Sequence, residues 1–422
     1  MKWFYKGLWK HSDFKYLWAG QTISMFGNQI SMLALPLVAA LTLKASALQI
    51  GILHAVEFLP FILLSLFVGV WIDKKPKRPI LIVADLSRAI IILGVPISMF
   101  LGMLNMEILY IVAFFAGGFS VLADIGQMSY LPVIIKRKDL IEGNSKLEFS
   151  NSAADLTGQG IGGILIQIFT APFTLIIQSF SLIVSSIFLF RIKTKENIIE
   201  LNDMKNTTET RILPMIKEGL TYVLNNKIVR ALLVSSIIFN FFTILIDPIY
   251  ILYLSRTLSL EPIYIGLIFS MSGVGALIGV AITEPITRKI GIGNSLITSL
   301  LIAGISSLLI PIATLLPVVP AVLLLMLMQL VDACMLIIYN INQRTLRTVI
   351  TPDNMLGRMN ASIRFCVMGI VPIGAVLGGL SGDVIGVLET LIIGALGIIF
   401  SSIYISSTKI RTIKEIPITT NS

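Results

Sequence analysis

Apolar runs of about 20 residues, broken by charged, prolyl or strongly polar positions, recur along the whole chain. A helix rising 1.5 Å per residue needs about that many residues to cross the hydrocarbon core of a bilayer. Barrel strands would read instead as alternating segments of about 10 residues. The pattern predicts helices at about 16–41, 47–72, 79–101, 107–133, 147–169, 172–191, 230–254, 262–286, 293–313, 317–343, 361–381 and 386–408. The expected fold class is therefore all-α integral membrane, with twelve transmembrane helices in two pseudo-symmetric six-helix bundles.

The one long polar connection divides these helices evenly. Residues 1–191 are expected to form one bundle and 230–422 the other. Between them, "KENIIELNDMKNTTETR" reads as a cytoplasmic linker, and the apolar spacing of "ILPMIKEGLTYVLNNKIVRALL" predicts an amphipathic helix along the inner membrane surface. The start, "MKWFYKGLWKHSDFKYLWAG", is basic and aromatic, as at a membrane interface, and runs into a span too long for a signal peptide. The first helix is expected to be retained.

Composition agrees with a membrane solvent. The chain of 422 residues is 55% hydrophobic and 13% charged, with a mean hydropathy of +0.91, against about 25% charged residues in soluble domains. Cys334 and Cys366 both lie inside apolar stretches and read as packing residues rather than a disulfide framework.

The net charge of +9 changes the picture through its distribution. Nearly all cations fall at the amino terminus and in the connections at 73–78, 136–146, 191–230, 287–289, 344–358 and 409–414, whereas the opposite loops offer Lys44 and Arg256. Such asymmetry predicts a multi-pass protein of the cytoplasmic membrane with both termini inside. Cations spread over six short loops form no nucleic-acid footprint. The expected partners are the lipid bilayer, a small-molecule substrate and protons, and the expected form is a monomer.

The two groups of helices resemble each other. At a shift of 216 residues "NSKLEFSNSAADLTGQGIGG" (144–163) aligns without a gap on "NASIRFCVMGIVPIGAVLGG" (360–379), matching Asn144 with Asn360, Phe149 with Phe365 and Gly162–Gly163 with Gly378–Gly379. A second window at a shift of 210 pairs "GVWIDKKPKR" at 69 with "GVAITEPITR" at 279, placing Thr283 opposite Asp73. Duplicated six-helix halves are the layout of carriers that rock about a midplane cavity. The glycines of both repeats read as close helix packing.

An ionisable group at membrane depth costs at least about 2.5–3.5 kcal/mol and so tends to face a cavity or a partner. Glu57, Asp124, Asp155, Asp247, Glu284 and Asp332 lie at such depth, with only Arg88 and Arg364 as cations within spans. An unpaired buried carboxylate can take up a proton, the property that proton coupling requires. Asp124 and Asp332 occupy corresponding helices of the two halves. Glu57 stands one turn from His54, a pair able to share a proton. Each acid could equally hydrogen-bond a neighbouring helix. No "GxxxxGK[ST]" or "HExxH" motif occurs, and there are two histidines, His11 and His54, so no cofactor, metal site or enzymatic activity is expected.

"GVWIDKKPKR" resembles the loop 2–3 signature of the major facilitator superfamily, here carried by Gly69, Asp73, Lys74, Lys77 and Arg78, with Pro76 where the second Gly usually stands. With "ADLSRA" (84–89), "LP" at 131–132 and "TPDNMLGRMNAS" (351–362), the chain resembles the drug:proton antiporter branch that includes macrolide efflux proteins and the enterobactin exporter. Helix 4 lacks the Arg that many drug antiporters carry, and Gly158–Gln159 stands where they have Gly-Pro.

The resemblance implies proton-driven efflux of hydrophobic or amphipathic small molecules, with a dedicated metabolite, peptide-antibiotic or siderophore exporter and a lysophospholipid flippase as alternatives. It also implies an inner gate in which Asp73 meets the eleventh span, with Arg78, Arg358 and Arg364 as the cations that latch it. A purely topological role for those cations is the alternative.

Overall fold

The computed structural model describes residues 7–73, 75–136, 139–194, 196, 212–352 and 355–413. Its helices are α1 (Ser12–Leu37), α2 (Ala47–Asp73), α3 (Lys77–Phe100), α4 (Met106–Ile134), α5 (Leu140–Phe169), α6 (Ala171–Arg191), α7 (Ile212–Asn225), α8 (Lys227–Leu252), α9 (Pro262–Ile290), α10 (Ile292–Leu309), α11 (Val318–Ile350), α12 (Leu356–Gly369), α13 (Val371–Val384) and α14 (Val387–Ser406). Among the described residues eleven segments are long and apolar enough to cross a membrane, α12 and α13 counting as one, Leu356–Val384. The predicted span at 147–169 lies in α5, whose 30 residues are long enough but are diluted by Glu142, Lys146, Glu148, Asp155 and several amides and hydroxyls.

Local chemistry sets several helix starts. The Asn105 side chain accepts from Ile108 N at 3.0 Å to cap α4, and Asn226 accepts from Ile228 N and Val229 N at 3.0 and 3.1 Å to cap α8. Thr170 and Gly386, both with positive φ, turn the chain into α6 and α14.

The chain divides into two compact units. One comprises Met1–Ala45, Val56–Glu209 and Glu261–Gly266; the other comprises Ser46–Ala55, Thr210–Leu260 and Leu267–Ser422. In the first, α1 packs on α5 and α6, and α3 packs on α4 and α6. In the second, α8 packs on α13 and α14, and α10 packs on α11 and α14. The same contact scheme is thus drawn twice.

The repeat can be followed helix by helix. α1 and α8 are both 26 residues long, and each continues into a π-helical turn, Val38–Thr42 and Tyr253–Thr257. α2 begins at Ala47 and α9 at Pro262, 215 residues later; α4 ends at Ile134 and α11 at Ile350, 216 later. The window at 144–163 therefore carries the structural correspondence. The window at a shift of 210 does not: the counterpart of Asp73 is Arg288, and Thr283 lies inside α9, its buried hydroxyl donating to Gly279 O at 2.6 Å. No five-residue step separates the starts of α2 and α9, so that likeness is local.

Helix contact in lipid depends on close packing rather than on expulsion of water. On α6, buried Ser181 and Ser185 stand against Gly27 and Gly20 of α1, and hydroxyls such as Ser181 Oγ return a hydrogen bond to their own helix, here Gln178 O at 2.7 Å. Large apolar side chains turn outward instead, Phe100 and Leu315 being 83% and 82% exposed, as residues facing lipid would be.

Candidate functional site

In the first unit, polar side chains of α1 and α5 meet within the predicted span. Gln29 Nε2 donates a short hydrogen bond to Asp155 Oδ1, and Gln159 Nε2 donates to Gln29 Oε1 at 3.2 Å. One turn and a half towards the α5 start, Thr22 Oγ1 donates to Ser150 Oγ at 2.9 Å. The α5 positions 144, 148, 151, 152, 155 and 159 are all polar, and at helical spacing they form a stripe. A cavity of about 610 Å³ opens beside it, lined by Met25, Asn144, Leu147, Glu148, Phe149 and Ser152 among others. Such a lining joins apolar surface to a carboxylate, which suits an amphipathic ligand.

Behind Gln29, its neighbour Asn28 accepts from Arg88 Nη2 at 3.0 Å. Arg88 is 8% exposed and Asp85, one turn before it on α3, is 2% exposed. Asp85 Oδ2 accepts from Ser185 Oγ at 2.7 Å. A charge at 85 and its opposite at 88 face the same side of α3, so each offsets part of the other's cost of burial inside the unit. Asp85 is not among the six acids singled out above; its spacing from Arg88 in "ADLSRA" is the sequence signal for it.

In the second unit Asp332 lies midway along α11. Its Oδ2 accepts from Ser307 Oγ of α10 at 3.4 Å, and its Oδ1 takes no hydrogen bond. Two turns further on, Tyr339, Gln343 and Ser236 form a buried network: Ser236 and Tyr339 hydroxyls are 3.1 Å apart, and Gln343 Nε2 donates to both. Glu57 and His54 are half-buried on α2, while Asp124 on α4 and Asp247 on α8 are exposed.

Asp124 and Asp332 do occupy corresponding helices but not corresponding positions. The residue matching Asp124 is Asn340, and the one matching Asp332 is Ala116, two turns away. The same holds elsewhere: Glu57, Asp155 and Asp247 match Ser272, Val371 and Met32. Each intramembrane acid is thus private to one half.

The residues expected to gate the inner side separate into different settings. Arg78, near the start of α3, donates from Nε to Leu189 O at 2.9 Å and from Nη2 to Phe190 O at 2.5 Å, capping the carbonyl end of α6. The start of α3 is itself capped by Glu196, whose carboxylate accepts from Lys77 N at 2.7 Å and Arg78 N at 2.8 Å. Lys77 is buried. Arg358, near the start of α12, pairs through Nη1 with Glu218 Oε2 of α7 at 2.5 Å. Arg364 is exposed on α12. Gly69 and Asp73 belong to α2, and the Asp73 side chain lies outside the described residues, as does Lys74. Sequence reasoning did not single out Glu196, which stands alone in a polar stretch with no periodic neighbour.

Among the described residues no group of three His, Cys, Asp or Glu side chains could hold a metal ion.

Residues 17–375 match the model of the Major Facilitator Superfamily. The chain belongs to that superfamily. Curated relatives of this facilitator are distant. The multidrug efflux pump Tap of Mycolicibacterium fortuitum is 24% identical over 87% of this chain and 88% of its own length. Macrolide efflux protein A of Streptococcus pyogenes is 22% identical over 64% of this chain and 65% of its own. The uncharacterized transporter YfiS of Bacillus subtilis is 24% identical over 63% of this chain, and the match spans 62% of that relative.

Among solved structures, a bacterial homologue of the iron transporter ferroportin in its inward-facing state covers 95% of this chain and 100% of its own at a TM-score of 0.74 and 17% identity. The nucleoside transporter NupG covers 94% and 100% at 0.72 and 13%. These likenesses show the facilitator fold. The superfamily member described here is a multi-pass membrane transporter and not an enzyme.

Proposed function

We propose that this facilitator is a secondary active exporter of hydrophobic or amphipathic small molecules, working by proton antiport with alternating access across the cytoplasmic membrane. Asp332 carries the reading. One of its oxygens takes no hydrogen bond, and the other is held by a neutral hydroxyl. Keeping such a carboxylate ionised at membrane depth costs at least about 2.5–3.5 kcal/mol, and taking up a proton removes that cost. A proton that comes and goes there alters the stability of one conformation against another, which is what coupling requires.

Efflux rather than uptake is supported by the likeness to a multidrug efflux pump over most of the chain. The α1–α5 cavity, with Glu148 beside Met25 and Phe149, suits an amphipathic substrate. The distribution of cations supports a cytoplasmic position for both termini. In the same reading Asp73 and Arg364 work as the inner latch, while Arg78 and Arg358 hold α6 and α7 in place around it.

The test is an efflux and drug-susceptibility panel in a pump-deficient host, with and without a protonophore. Export that stops when the proton gradient collapses is the expected result. Export that persists at full rate would remove proton coupling, and no change in susceptibility to any amphipathic drug would remove the export reading. Asp73→Asn is expected to lower transport while leaving insertion intact.

A further inference from the structure

Two tyrosines one turn apart, at the end of α8 and the start of the π-helical turn that follows it, are put to different uses. Tyr253 is fully buried, and its hydroxyl donates to Ile310 O at 2.9 Å. Tyr250 is 6% exposed, yet among the described residues its hydroxyl takes no hydrogen bond. A buried tyrosine ordinarily finds a partner for that group, because a polar atom shut away from water without one costs free energy. The ring is nonetheless held in place. It stacks on Tyr253 with centroids 6.5 Å apart and 17° between planes, and Phe269 of α9 meets it edge-on at 5.7 Å. Such packing fixes where the hydroxyl stands and leaves open what it bonds.

The neighbour that gives this hydroxyl a use is Asp332. Three contacts bring the two side chains together: Tyr253 reaches Ile310, Ile310 comes one turn after Ser307 at the end of α10, and Ser307 Oγ donates to Asp332 Oδ2 at 3.4 Å. Tyr250 is close enough for the Asp332 charge to act on it. The second carboxylate oxygen, Oδ1, is buried and takes no hydrogen bond. A donor without an acceptor and an acceptor without a donor thus occur in one cluster of α8, α10 and α11.

The other elements packed around the pair offer few ionisable groups. α10 and the turn Ile310–Leu315 have none. α9 approaches α11 at Gly275 and Gly279 and has none between Tyr264 and Glu284. On α8 and its π-helical turn, Asp247 and Arg256 are exposed. On α11, Cys334 and Tyr339 follow Asp332, and the Tyr339 hydroxyl is engaged with Ser236 and Gln343. α13 and α14, which pack on α8, carry Asp383, Glu389 and Tyr404, and Asp383 accepts from Ser46, Ala47 and Leu48. α7 and α12 meet α8 near its start, around Val229 and Leu233.

We propose that Tyr250 is a positioning residue for the proton step at Asp332: its hydroxyl donates to Oδ1 when the carboxyl loses its proton, and that bond is given up when the proton returns. The arrangement in this structure, with Oδ1 and the hydroxyl both unbonded, is that of the protonated acid. A carboxyl with Ser307 as its one donor would keep its proton in both conformations and couple nothing. Hydrogen bonds to an ionised group are the stronger kind, so a second donor is what lets the proton leave. This role rests on the reading of Asp332 as the proton carrier.

The test is a pH titration of the infrared band of the protonated Asp332 carboxyl, assigned by its loss in Asp332→Asn, on the full chain in lipid vesicles. Tyr250→Phe keeps the ring and removes the hydroxyl. The midpoint should rise by about one pH unit, a roughly tenfold tighter hold on the proton. Thermal stability of that variant should match the unaltered chain below the midpoint and fall short of it above, since the hydroxyl bonds only the ionised acid. Tyr253→Phe is the control: it loses the bond to Ile310 O, so it should be less stable at every pH while the midpoint stays in place. A midpoint unmoved by Tyr250→Phe, or moved as far by Tyr253→Phe, would overturn the role of Tyr250 and leave Asp332 as the proton carrier. A band that does not titrate in the unaltered chain would remove Asp332 from coupling and Tyr250 with it.

Discussion

Arg358 of α12 is paired with Glu218 of α7, their side chains approaching to 2.5 Å while 33% and 54% exposed. The ion pair joins a linker helix to the start of a spanning helix within one unit. It sits over a small core of Val223, Val229, Leu233, Met359 and Ile363. Because the charges reach water, the pair itself contributes only about 0.2–1 kcal/mol. Glu218→Gln should therefore lower thermal stability by no more than that. Met359→Ala, which empties the buried core beneath it, should cost about 2–5 kcal/mol and loosen α7 in limited proteolysis.

Glu196 is expected to matter more than its place in a polar linker suggests. It satisfies two of the backbone N–H groups that the start of α3 would otherwise leave open. Glu196→Ala should destabilise the protein by about 0.5–2 kcal/mol, read by thermal unfolding in detergent, with Glu196→Gln in between.

Arg78 divides a structural role from a gating one. Its fork reaches two successive carbonyls, Leu189 O and Phe190 O. A lysine offers no such fork. Arg78→Lys should therefore reduce the amount of folded protein in the membrane, at a cost of about 1–3 kcal/mol, and leave export per folded molecule near normal. A full complement of folded but inactive protein would assign Arg78 to the latch instead.

Asp332→Asn keeps the shape and removes the titratable group. Proton-driven accumulation in everted vesicles should fall to background, while exchange of substrate down its own gradient continues. Thermal stability should stay level or rise, since an amide can use the Ser307 hydroxyl without the cost of a buried charge. Uphill transport at the original rate would remove Asp332 from the coupling step.

The spans were legible because lipid imposes one strong pattern on a helix. Thus α2, predicted at 47–72, runs from Ala47 to Asp73, and α6, predicted at 172–191, runs from Ala171 to Arg191. α5 was legible only by its place in the order, since the polar stripe that makes it interesting also dilutes its hydropathy. Asp155 and Asp332 were visible as ions in apolar surroundings. Their partners Gln29 and Ser307 were not, because a neutral amide or hydroxyl inside a span has no energetic signature in the sequence. The window at a shift of 210 misled because Gly-Val and a distant Arg recur by composition, and the helix starts set the true offset.

The matched lengths of α1 and α8 and the offsets of 215 and 216 residues have a consequence for redundancy. The two halves have kept step in length over almost two hundred positions while sharing none of the six acids at membrane depth, Glu57, Asp124, Asp155, Asp247, Glu284 and Asp332. The two halves thus share a scaffold but not its intramembrane acids, so an acid lost from one half has no counterpart in the other to replace it.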